Sequence, residues 1–147
     1  MSPADELVLT SMWLQLNADK DLASLFRSDE YSLADVLNYF RQVTYATESD
    51  GAGAWVCIWF EPFFDGVWVG VWVAPRCRKT KKALAFVKLA LEHALKAWPV
   101  LFCATRQSKV NRIVIRLGFT AIGKFDKMAN GQPVWLSCME AGDVRSR

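Results

Sequence analysis

Val67-Trp-Val-Gly-Val-Trp-Val-Ala-Pro-Arg-Cys-Arg-Lys-Thr-Lys-Lys-Ala-Leu84 carries the chain from a run of strand formers into a helix through a loop crowded with cations. Arg76, Arg78, Lys79, Lys81 and Lys82 fall in that loop with no acidic side chain among them. From Lys81 onward, Ala83, Phe86, Val87, Ala90, Leu91, Ala94, Leu95 and Trp98 recur at three- and four-residue steps, which predicts a helix with one buried face. The helix N-terminus therefore lies inside the basic cluster. Cations there meet the positive end of the macrodipole, a repulsion of roughly 0.3–1 kcal/mol each. An anion reverses the sign. Strand, tight loop and helix start with unspent N–H groups form a phosphate site, and basic side chains deepen it.

The 147 residues, 52% hydrophobic and 13% aromatic, suffice for one packed domain, expected over 1–140 with a loose tail at 141–147. The formal net charge is +3, and without the five cations of 76–82 the remainder carries −2. Positive charge is thus local, which suits a phosphorylated small ligand better than a nucleic-acid track. Cys57, Cys77, Cys103 and Cys138 contain no Cys-x-x-Cys and His93 is the only histidine, so neither a metal site nor a disulfide framework is expected. Asp5, Glu6, Asp19 and Asp21 stand where a signal peptide would need a basic segment and an apolar run. No stretch approaches the roughly 18 apolar residues of a membrane span. The expected compartment is a reducing cytoplasm.

Residues 6–16 mix strand formers with helical spacing and are read as a first strand, followed by a short helix over Lys20–Phe26. Ser32 with Asp35 three residues on predicts a capped start for Leu33–Arg41. Gln42–Glu48 and Ala54–Glu61 read as strands of a hairpin around Asp50-Gly51-Ala52-Gly53, and Pro62 with Asp65-Gly66 marks the next reversal. Val67–Val73 is expected in the middle of a sheet, buried on both faces. Trp98-Pro99 ends the long helix, and Val100–Thr105 is a buried strand reached by a parallel crossover. A helix over Ser108–Leu117 stops at Gly118, and Phe119–Phe125 pairs with Pro133–Met139 across Asn130-Gly131.

This order resembles the GNAT superfamily of N-acetyltransferases from about residue 10 to 140. The resemblance is carried by Val73-Ala-Pro-Arg-Cys-Arg78 ahead of the long helix and Arg116-Leu-Gly-Phe119 after the short one. It implies an α/β fold with a mixed, mostly antiparallel central sheet, and acetyl-CoA as cofactor. In that family a loop reading Gln/Arg-x-x-Gly-x-Gly/Ala cradles the cofactor's pyrophosphate. Placing Arg78 first puts Lys81 at the first glycine and Ala83 at the second. The implied cofactor contacts are Trp72, Val73, Ala74, Arg76, Arg78, Lys79, Thr80, Lys81, Lys82 and Ala83, with Gln107 at the family's asparagine. Val114 aligns with the family's frequent general-acid tyrosine, and valine cannot protonate a leaving thiolate. A basic, glycine-poor loop of this kind looks most like the acetyltransferase-like proteins of tailed bacteriophages, which implies host cytoplasm or virion as location.

Acetyl transfer to an amine needs a base, donors for the tetrahedral oxyanion and preferably an acid for the sulfur. Backbone N–H groups at Trp72–Ala74 are the expected donors, and Glu61, ahead of Asp65, the expected base. The expected activity is transfer from acetyl-CoA to a primary amine of a small molecule or protein, by direct attack in a ternary complex. Two rivals stand beside it: a catalytically silent structural or assembly protein, such as a phage virion component, and a nucleic-acid-binding module using 76–82. Trp55, Trp59, Trp68 and Trp72 are expected to serve core or homo-oligomer packing ahead of base stacking. Cys77 reads as an incidental loop cysteine ahead of a reactive one, and His93 as a surface residue. Ser137 and Cys138 lie on the last strand, where side chains can reach the acceptor channel, and the face each takes is left open by the sequence.

Overall fold

Ser2, Pro3 and Asp5 open the first element, and it is a helix where residues 6–16 are predicted as a strand. In the computed structural model, which describes residues 1–20, 23, 30–126, 131 and 133–141, α1 spans Pro3–Ala18. Ser2 Oγ accepts from the Asp5 N–H at 3.1 Å and Asp5 Oδ2 from the Ser2 N–H at 3.3 Å. This reciprocal cap, with proline at the first helical position, satisfies the orphan donors of the first turn. Leu9, Met12 and Leu16 are buried at helical spacing while Leu7 and Leu14 stay exposed. Apolar residues on both faces blur the period, and the cap decides the matter.

Most of the helix predicted over Lys20–Phe26 lies outside the described residues. The next helix, α2, spans Leu33–Gln42 behind the Ser32–Asp35 capping box. The Ser32 N–H donates to Asp35 Oδ2 at 2.9 Å, and that bond holds the Asp35 carboxyl below the usual carboxylate range. Strands β1 (Thr44–Asp50), β2 (Gly53–Phe63) and β3 (Gly66–Val73) follow, then a single 3₁₀ turn at Pro75–Cys77 and the long helix α3 (Lys81–Ala97). The chain continues through β4 (Val100–Thr105), α4 (Ser108–Leu117), β5 (Thr120–Phe125) and β6 (Val134–Glu140). The six strands form one sheet in the order β1-β2-β3-β4-β6-β5. By internal contacts the chain divides into two compact units, Met1–Trp59 with Val71–Leu84, and Phe60–Gly70 with Ala85–Arg147.

In the first unit, Ser11 and Gln15 of α1 grip the start of β2. The Ala54 N–H donates to Ser11 Oγ at 3.0 Å, and Gln15 Nε2 donates to the Ala54 carbonyl at 2.9 Å. Arg41 of α2 pairs with Glu6 of α1 at 2.9 Å. Phe40 packs edge-on against Tyr45 and Trp59, at centroid distances of 5.4 and 5.6 Å. Ala54, Trp55, Val56, Cys57 and Ile58 are buried in succession, as in a strand covered on both faces.

In the second unit β3 pairs parallel with β4, Val67 against Leu101 and Trp68 against Phe102. The remaining pairings described here, β4 with β6 and β5 with β6, are antiparallel. Val67, Leu101 and Met139 are fully buried. Trp68 and Phe102, which face the other way, are only half-buried. The expectation that Val67–Val73 is buried on both faces is therefore corrected, and Val100–Thr105, read as a buried strand, is closed on one face only. One face of this part of the sheet is closed, and the other is partly open among the described residues. Gly118 caps α4 with φ 118°, its N–H donating to the carbonyls of Ile115 and Val114, a left-handed stop natural for glycine. The β5–β6 hairpin forms as expected, although 127–130 and 132 of its turn lie outside the described residues.

Candidate functional site

The basic loop begins where β3 ends. Ala74 is fully buried, and its N–H donates to the Trp55 carbonyl on β2 at 2.9 Å. Because N–H and C=O groups alternate in direction along a strand, those of Val73 are directed away from β2. Arg78 lies on that edge, its Nε donating to the Val73 carbonyl at 2.9 Å. Of the amides at Trp72–Ala74 expected to serve as oxyanion donors, that of Ala74 is thus spent inside the sheet.

The chain then turns tightly. The Cys77 N–H donates to the Ala74 carbonyl at 2.9 Å, and the Cys77 carbonyl accepts from Thr80 Oγ1 at 2.6 Å. Cys77 is buried, so it is a packing residue of the turn and not an exposed thiol. Burial also pushes the Cys57 thiol up to about 12, which keeps it protonated at neutral pH. Lys79 adopts φ 66°, a left-handed conformation that costs a residue with a Cβ about 1–2 kcal/mol. Thr80 caps α3, accepting from the Ala83 N–H at 3.3 Å. The hydroxyl expected to contact cofactor is thus spent on the cap. The backbone N–H groups of Lys81 and Lys82 have no protein partner among the described residues. These two unspent donors head a helix of 17 residues.

Of the five cations of the loop, Arg78 holds the Val73 carbonyl and the other four divide into two pairs. Arg76 is a structural clamp, donating to Gln15 Oε1 at 3.0 Å, Asp50 Oδ1 at 2.8 Å and the Gly53 and Ala54 carbonyls at 3.1 and 3.2 Å. Lys82 lies 3.8 Å from Asp50 Oδ2 and 4.4 Å from the Trp55 ring centroid. Asp50, read in the sequence only as part of a turn, is thus the anchor of two of the loop's cations. Its carboxyl sits below the usual range because the Ala52 N–H and then Arg76 donate to it, with the charges of Arg76 and Lys82 adding. No ion pair engages Lys79 or Lys81 among the described residues, and both are exposed. The side chain at the family's first glycine position therefore points to solvent. Ala83, at the second, is buried as a small residue there should be.

Other expected site residues lie elsewhere in the chain. Glu61 lies near the end of β2, and Asp65 lies in the turn before β3. Glu61 and Asp65 are exposed. Gln107 is the N-cap residue of α4 without a side-chain capping bond, and Val114 is buried in that helix. Ser137 faces inward and is almost fully buried, Cys138 faces outward, and their strand partners are Cys103 and Phe102. His93 is exposed on α3. Trp55 and Trp72 are buried packing residues, and Trp72 Nε1 is buried without a hydrogen-bond partner among the described residues. No helix among these residues is long and apolar enough to cross a membrane, and they hold no group of three or more His, Cys, Asp or Glu suited to a metal ion.

No protein-family model matches the chain, and no curated protein matches it either. Solved structures do. One is a chimera of the spermidine N-acetyltransferase SpeG from Vibrio cholerae and hSSAT, with 10% identity and a TM-score of 0.70 over 92% of this chain and 91% of that one. A second is the microcin C7 self-immunity acetyltransferase MccE in complex with acetyl-CoA and AMP, with 14% identity and a TM-score of 0.66 over 92% and 88%. A third is a GNAT-family acetyltransferase from Bacillus cereus, with 16% identity and a TM-score of 0.59 over 74% and 80%. At these identities the likeness is one of fold. The mixed, mostly antiparallel six-stranded sheet with its flanking helices is the acyl-CoA N-acyltransferase fold of the GNAT acetyltransferases.

Proposed function

We propose that this chain, as one domain over residues 1–140, is an acetyl-CoA-dependent N-acetyltransferase acting on a primary amine in the cytoplasm. The observation that carries the reading is the pair of unspent N–H groups at Lys81 and Lys82, set at a helix start among cations and directly after the central strand. The residues suit acetyl-CoA: the Lys81 and Lys82 amides with the Lys79 and Lys81 ammonium groups for pyrophosphate, and the Val73 amide for the thioester carbonyl. The buried Trp72 Nε1–H is a further unspent donor. When bound, the cofactor supplies an activated acetyl group. The chain's part is to orient it and hold negative charge at backbone donors.

The test is calorimetry with acetyl-CoA, followed by thiol release over a panel of amines. Binding that weakens with salt, together with amine-dependent release, is the expected result. Absence of binding at millimolar acetyl-CoA in low salt defeats the proposal. A second reading, a protein that keeps the fold without catalysis, is favoured by Val114, which stands where the resemblance calls for an acid. Binding without release above background selects it. The nucleic-acid reading loses ground because Asp50 already engages Arg76 and Lys82, leaving less charge for a phosphate track.

A further inference from the structure

Two rows of residues run across the sheet of the second unit, one on each face. Val67, Leu101 and Met139 make the closed row, with no exposed surface. One residue further along β3 and β4, and one back along antiparallel β6, Trp68, Phe102 and Cys138 make the other. All three are half-buried. Phe63, at the end of β2, completes an aromatic cluster on this second face. Its ring centroid lies 5.2 Å from that of Trp68 and 5.4 Å from that of Phe102, and those two lie 5.5 Å apart. Phe64 adds a fourth ring 4.8 Å from Phe63, in a left-handed conformation at φ 54° and 92% exposed. Gly66 makes room for the group: a Cβ there would meet Phe102 Cε2 at 3.1 Å.

The charges on the strands that carry these rings have one sign. Strands β2, β3, β4 and β6 contain no lysine or arginine, and their charged residues are Glu61 and Glu140, to which the β2–β3 turn adds Asp65. Glu61 precedes Phe63 by two residues and Glu140 follows Cys138 by two, so both project from the aromatic face at its margins. Ring faces and carboxylates attract the same ligand, a cation, and repel the same ligand, an anion. A second copy of the chain fits poorly. A two-fold contact would set carboxylates against carboxylates, and four partly covered rings fall short of the roughly 800 Å² per partner of a stable interface.

We propose that this face binds an organic cation, an alkyl- or arylalkyl-ammonium whose apolar arm lies on Phe63, Trp68 and Phe102 and whose ammonium group sits by Glu61 and Asp65. The binding does not rest on the function proposed above. The two carboxylates first read as candidate bases thereby hold the amine in its charged form.

The experiment titrates n-hexylammonium, n-hexanol and hexanoate into the ¹⁵N-labelled protein and follows the Trp68 indole N–H, assigned with Trp68→Phe. Hexylammonium should shift that signal saturably, hexanol about tenfold more weakly and hexanoate not at all. The double variant Glu61→Gln/Asp65→Asn should abolish the preference for hexylammonium over hexanol while leaving the remaining spectrum unchanged, since both side chains are exposed. Equal affinity for hexanol and hexylammonium, or no saturable shift with any of the three, overturns the proposal. So does a ligand-free dimer in sedimentation that Phe64→Ser dissolves. Acetyl-CoA calorimetry on the same sample reports separately on the acetyltransferase reading.

Discussion

Asp50 Oδ1 accepts from Arg76 Nη2 at 2.8 Å, so the turn between β1 and β2 is tied directly to the loop that precedes α3. The same arginine reaches Gln15 of α1 and the carbonyls of Gly53 and Ala54. The Asp50 carboxyl is held below its ordinary range in the folded chain. Its contribution is therefore complete above its unfolded value, near about pH 4, and is lost as pH falls through the folded value. Asp50→Asn should lower the melting temperature at neutral pH, and the gap from wild type should close below about pH 4. Thermal melts between about pH 2.5 and 7 check this; a gap that persists or widens in acid contradicts it.

Lys79 gives a prediction of opposite sign in two assays. At φ 66° a glycine avoids the strain a side chain incurs there. Lys79→Gly should stabilise the fold by about 0.5–1 kcal/mol in denaturant melts. It should also weaken acetyl-CoA by roughly fivefold at low salt, about 1 kcal/mol for an exposed ion pair lost. Lys81→Ala should produce the binding loss without the gain in stability. The binding losses should fade as salt rises.

The parts of this fold that speak locally were legible in the sequence. Ser32 and Asp35 announce α2 because a cap is decided within four residues. The four-step burial of Ala83, Val87 and Leu91 announces α3 in the same way. Gly118 ends α4 by its own backbone freedom. Helix α1 was misread although Ser2, Pro3 and Asp5 carry its start signal, because Val8, Thr10 and Trp13 are strand formers and the apolar residues surround the helix. The Arg76–Asp50 clamp and the Phe63–Phe102 contact depend on strand register, which brings together residues 26 and 39 positions apart. No local pattern encodes such pairs. They also decide which cations stay available to a ligand and which face of the sheet stays open.

Gly66 lies beside Val100 at the start of the β3–β4 pairing. A Cβ at this position would come within 2.5 Å of the Val100 carbonyl oxygen, a backbone atom that cannot swing aside as a side-chain tip does. Gly66→Ala must therefore push the parallel strands apart at the start of their pairing, and a loss of about 2–4 kcal/mol is expected in chemical denaturation. The Phe63, Trp68 and Phe102 rings should loosen with it, which near-ultraviolet circular dichroism reads independently. A neutral substitution would mean that the strands do not approach this closely in solution.

Val114 bears on catalysis through its burial. It sits in α4 at 8% exposure, where the resemblance calls for a tyrosine that protonates the departing thiolate. A thiolate is a tolerable leaving group, so lack of an acid should slow turnover by about 10²–10⁴-fold without abolishing it. The buried setting adds a constraint: a phenol placed there overfills the helix interface at a cost of about 1–3 kcal/mol. Val114→Tyr should therefore melt earlier than wild type and release thiol faster on a cognate amine at temperatures where both are folded. Its rate should also fall at high pH as the phenol ionises near about pH 10, a limb the wild type lacks. Parallel melts and pH–rate profiles of the two proteins decide it. A destabilised variant with wild-type rates would place the acid elsewhere, and a wild-type profile that already falls near that pH would show that another side chain supplies the proton.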